Sequence, residues 1–429
     1  MPSRSLLVAG LASVLLALAA CSQPQRPNVL FIVLDTLRKD YLHVYGYPQP
    51  VSPAIDALAA RGWLFENHLT HASQTIPATL SMLLSRLPAE HGFSPRDPML
   101  FATERPLYPS DFVFLQEVFR DAGYTTAGFT ANPYLTRSNA FDQGFETFVS
   151  IAGPGEDLNR SAIAWLTRQT RERPFFAYLH YMDVHQPYQP PARYVERFAA
   201  PEAGVLLGGN RPLPMQNSRD VAYTRSMYAA SVAHLDDLVA EVLHQLDSLG
   251  LRDDTLVVLT ADHGESLGEH ALLGHGRALY GELVRVPLVM VFPGRLEPGR
   301  RVSHLSQHID LAPTILQLAG IDPPREFRGT SVFEPAERVF LEIGTWRGVI
   351  AEGSKLLWNQ ATGEQQLFAL SDELDSAPRE DAEIATRLQA QLDGYLALDP
   401  NRNAPGGPQP GNNWSKDEIE RLRALGYLN

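Results

Sequence analysis

Two short apolar runs in this chain each lead into a carboxylate, more than two hundred positions apart. Val29-Leu-Phe-Ile-Val-Leu34 runs into Asp35, and Thr255-Leu-Val-Val-Leu-Thr260 runs into Asp262-His263-Gly264. A continuous apolar run of this length is how a strand buried on both faces reads. In an open α/β sheet, ligands bind beyond the carboxyl ends of the strands. The two acids can therefore face one cleft, and with His263 beside one of them the pattern predicts a metal site on an α/β fold.

The rest of the chain fits such layering. Ser52 to Arg61 predicts a helix with a serine N-cap, Pro53 at the first helical position and Gly62 at C′. Asp111 to Ala122 ends on Gly123, and Ala229 to Leu249 carries Val232, Leu235, Val239, Val242 and Leu246 at helical spacing before Gly250. Further strands are expected over Thr125 to Thr130, Phe175 to Tyr181 and Val286 to Phe292. Strands separated by helices imply a mostly parallel central sheet flanked by helices on both faces. Past residue 335, short strands broken by Gly-containing turns, within Arg347 to Phe368, predict a small C-terminal antiparallel sheet, followed by a helix over Ala382 to Leu398. Asp399 to Asn413, rich in Pro, Gly and Asn, reads as a linker. Beyond it, Ser415-Lys-Asp-Glu418 is a capping-box pattern, and Ile419, Leu422 and Leu425 share one helical face before Gly426. This last helix is expected to dock on the protein's own body.

Between the two acids lies Ser73-Gln-Thr-Ile-Pro-Ala-Thr-Leu-Ser-Met-Leu-Leu-Ser85, a hydroxyl-rich segment leading into a helical pattern. A hydroxyl near a helix N-terminus meets free backbone N–H groups and the positive end of the dipole, which suits an anionic substrate. Thr75 is the candidate nucleophile. Its hydroxyl stays protonated near neutral pH unless something favours the alkoxide, and a divalent cation does so.

Pro27 to Asp40, Thr75-Ile-Pro-Ala-Thr79, Pro88-Ala-Glu-His-Gly92, His185-Gln-Pro-Tyr-Gln-Pro-Pro191, Thr260-Ala-Asp-His-Gly-Glu-Ser-Leu-Gly-Glu-His270, Arg285-Val-Pro-Leu288 and Asp310-Leu-Ala-Pro-Thr-Ile-Leu316 follow one another in that order. In this order they resemble the sulfatase family of the alkaline phosphatase superfamily, over roughly residues 27 to 380. The resemblance implies an alkaline phosphatase-like fold, with a catalytic domain over 27–335 and a C-terminal α+β subdomain over 336–398. A linker over 399–414 and a terminal helix over 415–429 complete the chain.

It also implies a metal set of Asp35, Thr75, Asp262 and His263. His185 and His275 would bind the anion or serve the leaving group. One divalent ion is expected, and calcium, manganese, magnesium and zinc all suit such ligands. A two-metal arrangement would add Asp183, His185 and His275, although the full six-ligand pattern of two-zinc relatives is absent. His91, His180, His270 and His308 read as structural or surface residues, and Arg38 and Asp310 as supports of the site or of the fold.

The chain departs from the family pattern where it matters chemically. Typical sulfatases carry a cysteine or serine converted to formylglycine, with an arginine nearby; Thr75 and Thr79 stand at those positions, and Thr36 stands where a second acidic ligand is usual. Oxidising a threonine gives a ketone, so the aldehyde is not available. Direct attack by Thr75 on a sulfate or phosphate ester follows, as in phosphotransfer branches of the superfamily. Alternatives are an envelope phosphotransferase using an acceptor alcohol, and a silent lipoprotein that binds an anionic glycan or lipid headgroup.

The start of the chain predicts location. A weakly basic Met1 to Arg4, an apolar Ser5 to Ala20 and Leu18-Ala-Ala-Cys21 read as a lipoprotein signal peptide over 1–21, too short to span a bilayer. Cys21 would carry the lipid anchor, placing the protein in the periplasm on the outer membrane. It is the chain's one cysteine, so the body forms no disulfide. The net charge of −13 argues against nucleic acid as a partner and leaves a small anionic ester as the expected ligand.

Overall fold

The computed structural model describes residues 26–94, 105–200, 202, 204–208, 211–212, 218–397, 414–425 and 427. The expected signal segment 1–21 and the linker up to residue 413 lie outside these. Eight strands form the central sheet: β1 (Asn28–Leu34), β2 (Trp63–Leu69), β3 (Thr125–Thr130), β4 (Thr147–Ser150), β5 (Phe175–Tyr181), β6 (Thr255–Thr260), β7 (Leu288–Val291) and β8 (Arg300–Gln307). Their order is β8-β2-β7-β6-β1-β5-β3-β4. All neighbours are parallel except β7, which runs against β2 and β6. The expected mostly parallel sheet is thus present, and the strand expected over 286–292 is its one reversed member.

The central strands are buried throughout because both faces are covered. Along β1, Leu30, Ile32 and Leu34 pack into one apolar layer and Val29, Phe31 and Val33 into the other. The first layer is closed by α1 (Pro53–Ala59) and, further along the chain, by helices that include the long Ser218–Ser248; the second is closed by α2 (Thr75–Leu84) and others. Ala229–Leu249 was expected to be helical; the helix begins earlier, at Ser218, and ends at Ser248.

Two local expectations are corrected. Ser52 makes no side-chain cap on α1; its hydroxyl accepts from His43 N and donates to Asp56. The cap comes from across the fold, where Asp236 accepts from Ala54 N and Ile55 N, both at 2.8 Å. Gly62 is required for a different reason than a left-handed turn: a Cβ there would lie 2.1 Å from Met290 O.

The C-terminal subdomain has four antiparallel strands, β9 (Val339–Ile343), β10 (Trp346–Ala351), β11 (Ser354–Asn359) and β12 (Gln365–Ala369), in sequential order. One face packs on Leu69, Leu279, Leu283 and Val284 of the main domain, the other on the helix Ala382–Leu396. The terminal helix Lys416–Ala424 carries the predicted capping box between Ser415 and Glu418, and Leu422 is buried against the body.

Candidate active site

Strand β1 lies between β5 and β6, with Val33 level with both His180 and Thr260. The carboxyl ends of these three strands therefore deliver Asp35, His180 and Asp262 to one point, where a ligand atom of each lies within 4.8 Å of the others. Asp35 Oδ2 accepts from Asn132 Nδ2 at 2.6 Å and faces His180 Nε2 at 3.1 Å. Asp262 Oδ1 accepts from the N–H groups of His263, at 2.8 Å, and Thr36, at 3.2 Å. Thr36 does this from a left-handed backbone, φ 59°, rare for a β-branched residue and characteristic of strain held at a functional site.

Both acids are fully buried, yet Asp35 Oδ1 and Asp262 Oδ2 have no hydrogen-bond partner among the described residues. Burying such oxygens without a partner is costly. A divalent cation would satisfy both, so the residues present fit the metal that the sequence implies.

Thr75 opens α2 from an extended Gln74, held in place by Ser73, whose hydroxyl donates to Ala278 O at 2.6 Å. Its Oγ1 lies 3.4 Å from His263 Nε2 and 3.4 Å from Asn132 Nδ2. His263 Nδ1 sits 2.9 Å from Gly264 O and must donate to it. When the ring is neutral, the Nε2 lone pair then points towards Thr75 and, at 3.7 Å, Asp262 Oδ2. Gly264 is obligatory in this turn, since a Cβ would lie 1.9 Å from Glu282 O. Asp35, Thr75, Asp262 and His263 are thus brought together as expected.

His185 and His275 adjoin them, their ring centroids 5.0 Å apart and His275 4.6 Å from His263. His185 Nδ1 donates to Gln186 O at 2.6 Å, and its Nε2 accepts from the Tyr427 hydroxyl at 2.8 Å. His275 Nδ1 contacts Glu265 Oε1 at 2.9 Å, and Tyr188 donates to the other oxygen of Glu265.

Charge within the site is divided unevenly. Burial alone would raise Asp35, but His180, His185 and His263 outweigh it and hold the carboxyl well below the usual range. Burial and the charge of Asp35 push Asp262 up. Burial would lower His263, but the charges of Asp262 and Asp35 win and raise it. Burial lowers His185 to about 4 and raises Glu265 to about 7.

Several expectations are corrected by position. Asp183 does not join His185 and His275: its carboxylate accepts from Gly155 N at 3.0 Å and faces His234 and Glu156 in a separate group. His180, expected to be structural or at the surface, lies in the acid cluster. Arg38 forks onto Asp40 and contacts Glu269, and Asp310 accepts from Thr330 N; both support the fold. Thr79 is buried and contacts Tyr178. Asn132 and Tyr427 come from segments without a motif, and no local signal marks them. His180 had one, a polar residue near the carboxyl end of a buried strand, as Asp35 has.

The class defined by this geometry is a site at the carboxyl ends of the central strands, with paired acids, a histidine and a hydroxyl on a helix N-terminus. The family model for sulfatases matches residues 27–321, and the chain belongs to that family. It is 28% identical to human arylsulfatase A over 73% of this chain and 68% of that one. It is 22% identical to an N-acetylglucosamine-6-O-sulfatase of Bacteroides thetaiotaomicron over 77% and 75%. Among solved structures, the phosphonate monoester hydrolase of Agrobacterium radiobacter shares the fold with a TM-score of 0.70 at 20% identity, covering 88% of this chain and 96% of that one.

Proposed function

We propose that the protein is a metal-dependent hydrolase of sulfate or phosphate esters in which Thr75 is the nucleophile. The observation that carries this is the Thr75 hydroxyl, fixed 3.4 Å from His263 Nε2 at a helix N-terminus, beside two buried acids with one unpartnered oxygen each. Asp35, Asp262 and His263 would hold the cation, with Thr75 as a further ligand. Once bound there, it would stabilise the alkoxide of Thr75 and neutralise charge on the ester.

The Thr75 oxygen attacks sulfur or phosphorus, the ester bond to the alcohol breaks, and water then attacks the same centre to free Thr75. Asn132, bonded to Asp35 and in reach of Thr75, keeps the nucleophile and the acid in fixed relation. The pair Glu265 and His275 shares a proton across 2.9 Å; with it on the carboxyl, His275 Nε2 carries the hydrogen that an ester oxygen can accept. His185, neutral in this setting, adjoins the leaving-group side. Relatives whose names specify sulfate esters, and a fold neighbour named for phosphonate monoesters, support both sulfur and phosphorus as the centre attacked. Lipid attachment at Cys21 would place this chemistry at the periplasmic face of a membrane.

The test is turnover of matched aryl sulfate, phosphate monoester and phosphate diester substrates with magnesium, manganese, calcium or zinc, in wild type and Thr75→Ala. We expect one ester class to be turned over and the variant to lose it by about 10³-fold or more. Activity untouched by the substitution would remove Thr75 from its role. Adding an acceptor alcohol and analysing products separates hydrolysis from transfer.

A further inference from the structure

The C-terminal segment does more than dock. Asp35, Thr75, Asp262 and His263 are all 0% exposed, and His185 and His275 only 2%, so an ester has no open way to the nucleophile. What lies over them is Tyr427, itself 3% exposed. Its hydroxyl donates to His185 Nε2 at 2.8 Å and also reaches the Thr75 side chain. Its ring is 4.9 Å from Tyr134, 5.1 Å from His185 and 6.1 Å from His275.

The segment behind this ring is tied to the body by specific contacts and by its apolar face, on which Leu422 is fully buried. Arg421 donates to Ala131 O and Ile151 O, Arg105 pairs with Glu418, and Trp414 lies edge-on to Tyr134 at 6.0 Å. Beside it opens a cleft of about 480 Å³, lined by His185, Gln186, Met182, Arg421 and Leu425 among others. The docked helix is therefore one wall of the space that leads to His185.

We propose that the segment Trp414–Leu425 together with Tyr427 is an internal occupant of the substrate site, with the Tyr427 phenol in the position of the leaving alcohol. The proposal rests on the ester-hydrolase reading of the site. A phenolic oxygen held between the nucleophile and a histidine is where the departing oxygen of an ester stands in an attack by Thr75. While the hydroxyl donates to His185, the Nε2 lone pair is taken and the histidine cannot serve a substrate. Substrate and tail thus compete, and the site works only when the tail leaves. If f is the fraction of molecules with the tail undocked, apparent anion affinity is reduced by that fraction, and by linkage anion binding must release the tail.

The experiment uses full-length protein loaded in turn with magnesium, manganese, calcium and zinc, titrated by calorimetry with inorganic phosphate and with inorganic sulfate. Wild type is compared with Tyr427→Phe and Tyr427→Ala. Trypsin cleavage at Lys416, Arg421 and Arg423 is followed with and without saturating anion. Expected are binding at least about tenfold tighter in Tyr427→Ala, an intermediate gain in Tyr427→Phe, and faster tail cleavage when wild type is saturated with anion. Equal or weaker binding by Tyr427→Ala, with wild type still binding, would overturn the occupant and make the tail part of the working site. Turnover falling in Tyr427→Phe at unchanged anion affinity would do the same. No binding to any form would overturn both this inference and the ester-hydrolase reading.

Discussion

A histidine nitrogen that donates a hydrogen bond cannot at the same moment offer its lone pair to a metal, and this decides how His180 acts. Its Nε2 lies 3.1 Å from Asp35 Oδ2, and its Nδ1 is 2.8 Å from the Tyr178 hydroxyl. If Tyr178 donates to Nδ1, Nε2 carries the hydrogen and donates a hydrogen bond to Asp35 Oδ2, while the other oxygen of that acid has no partner among the described residues. In this assignment His180 positions a ligand, and losing such a partner typically costs about 10 to 100-fold in metal affinity. His180→Ala should weaken metal binding by that factor, read by competition with a chromophoric chelator. His180→Gln, which keeps an N–H donor but is a poor metal ligand, should recover most of it. Equal loss in both variants would make His180 a direct ligand.

At the scale of elements, the strands that carry the site were legible because they are buried on both faces. Asn28–Leu34, Phe175–Tyr181 and Thr255–Thr260 read as predominantly apolar runs, and their parallel register makes their ends coincide. Strand β8, Arg-Arg-Val-Ser-His-Leu-Ser-Gln, was not legible: it is an edge strand with only Val302 and Ser306 buried, and its composition is that of a loop. Asn132 and Tyr427 escaped for another reason, since a loop residue and a chain end reach the site by tertiary packing alone. Gly62 was read as the C′ glycine of α1, whereas it is needed because its backbone lies against Met290 O, and close backbone approach leaves no trace in sequence. The same constraint acts in the turn after β6. A Cβ on Gly264 would meet Glu282 O at 1.9 Å, and Gly264 N also donates to Leu283 O at 2.8 Å. Backbone cannot yield there as a flexible side chain would, so Gly264→Ala must shift His263. We expect a cost of about 1–3 kcal/mol in denaturant stability together with weakened metal binding. A variant that keeps both wild-type values would show that the turn has slack.

For the molecule as a whole, the number of buried neutral histidines sets its response to acid. Burial is the main cause that lowers His68 to about 3, His71 to about 4 and His91 to about 3, and it takes His308 well below its ordinary value. These residues lie where the main sheet meets its covering layers: His68 pairs with Ser306, His71 with Phe340 O of the C-terminal sheet, and His91 with Ser81 of α2. In the unfolded chain each titrates near 6.5, so below that pH the unfolded state binds protons the folded state refuses. The stability they confer is complete above about pH 6.5 and is lost as pH falls towards 3 to 4, by about 1.4 kcal/mol per pH unit for each. Burial pushes Asp236 and Glu265 up to about 7, and these act in the opposite sense, favouring the folded state on acidification. His185, lowered to about 4, and His275, lowered to about 3, add to the histidine side, so the neutral histidines outnumber the two carboxyls held at about 7 and stability falls between pH 6 and 5. Denaturant midpoints measured at pH 7.5 and 5.5, at fixed metal concentration, should fall on acidification. Replacing Asp236 by Asn should steepen that fall, since it removes one of the opposing groups. A midpoint that stays level or rises would mean that these histidines are not kept neutral, and that the interface between sheet and subdomain is more open to water than their burial indicates.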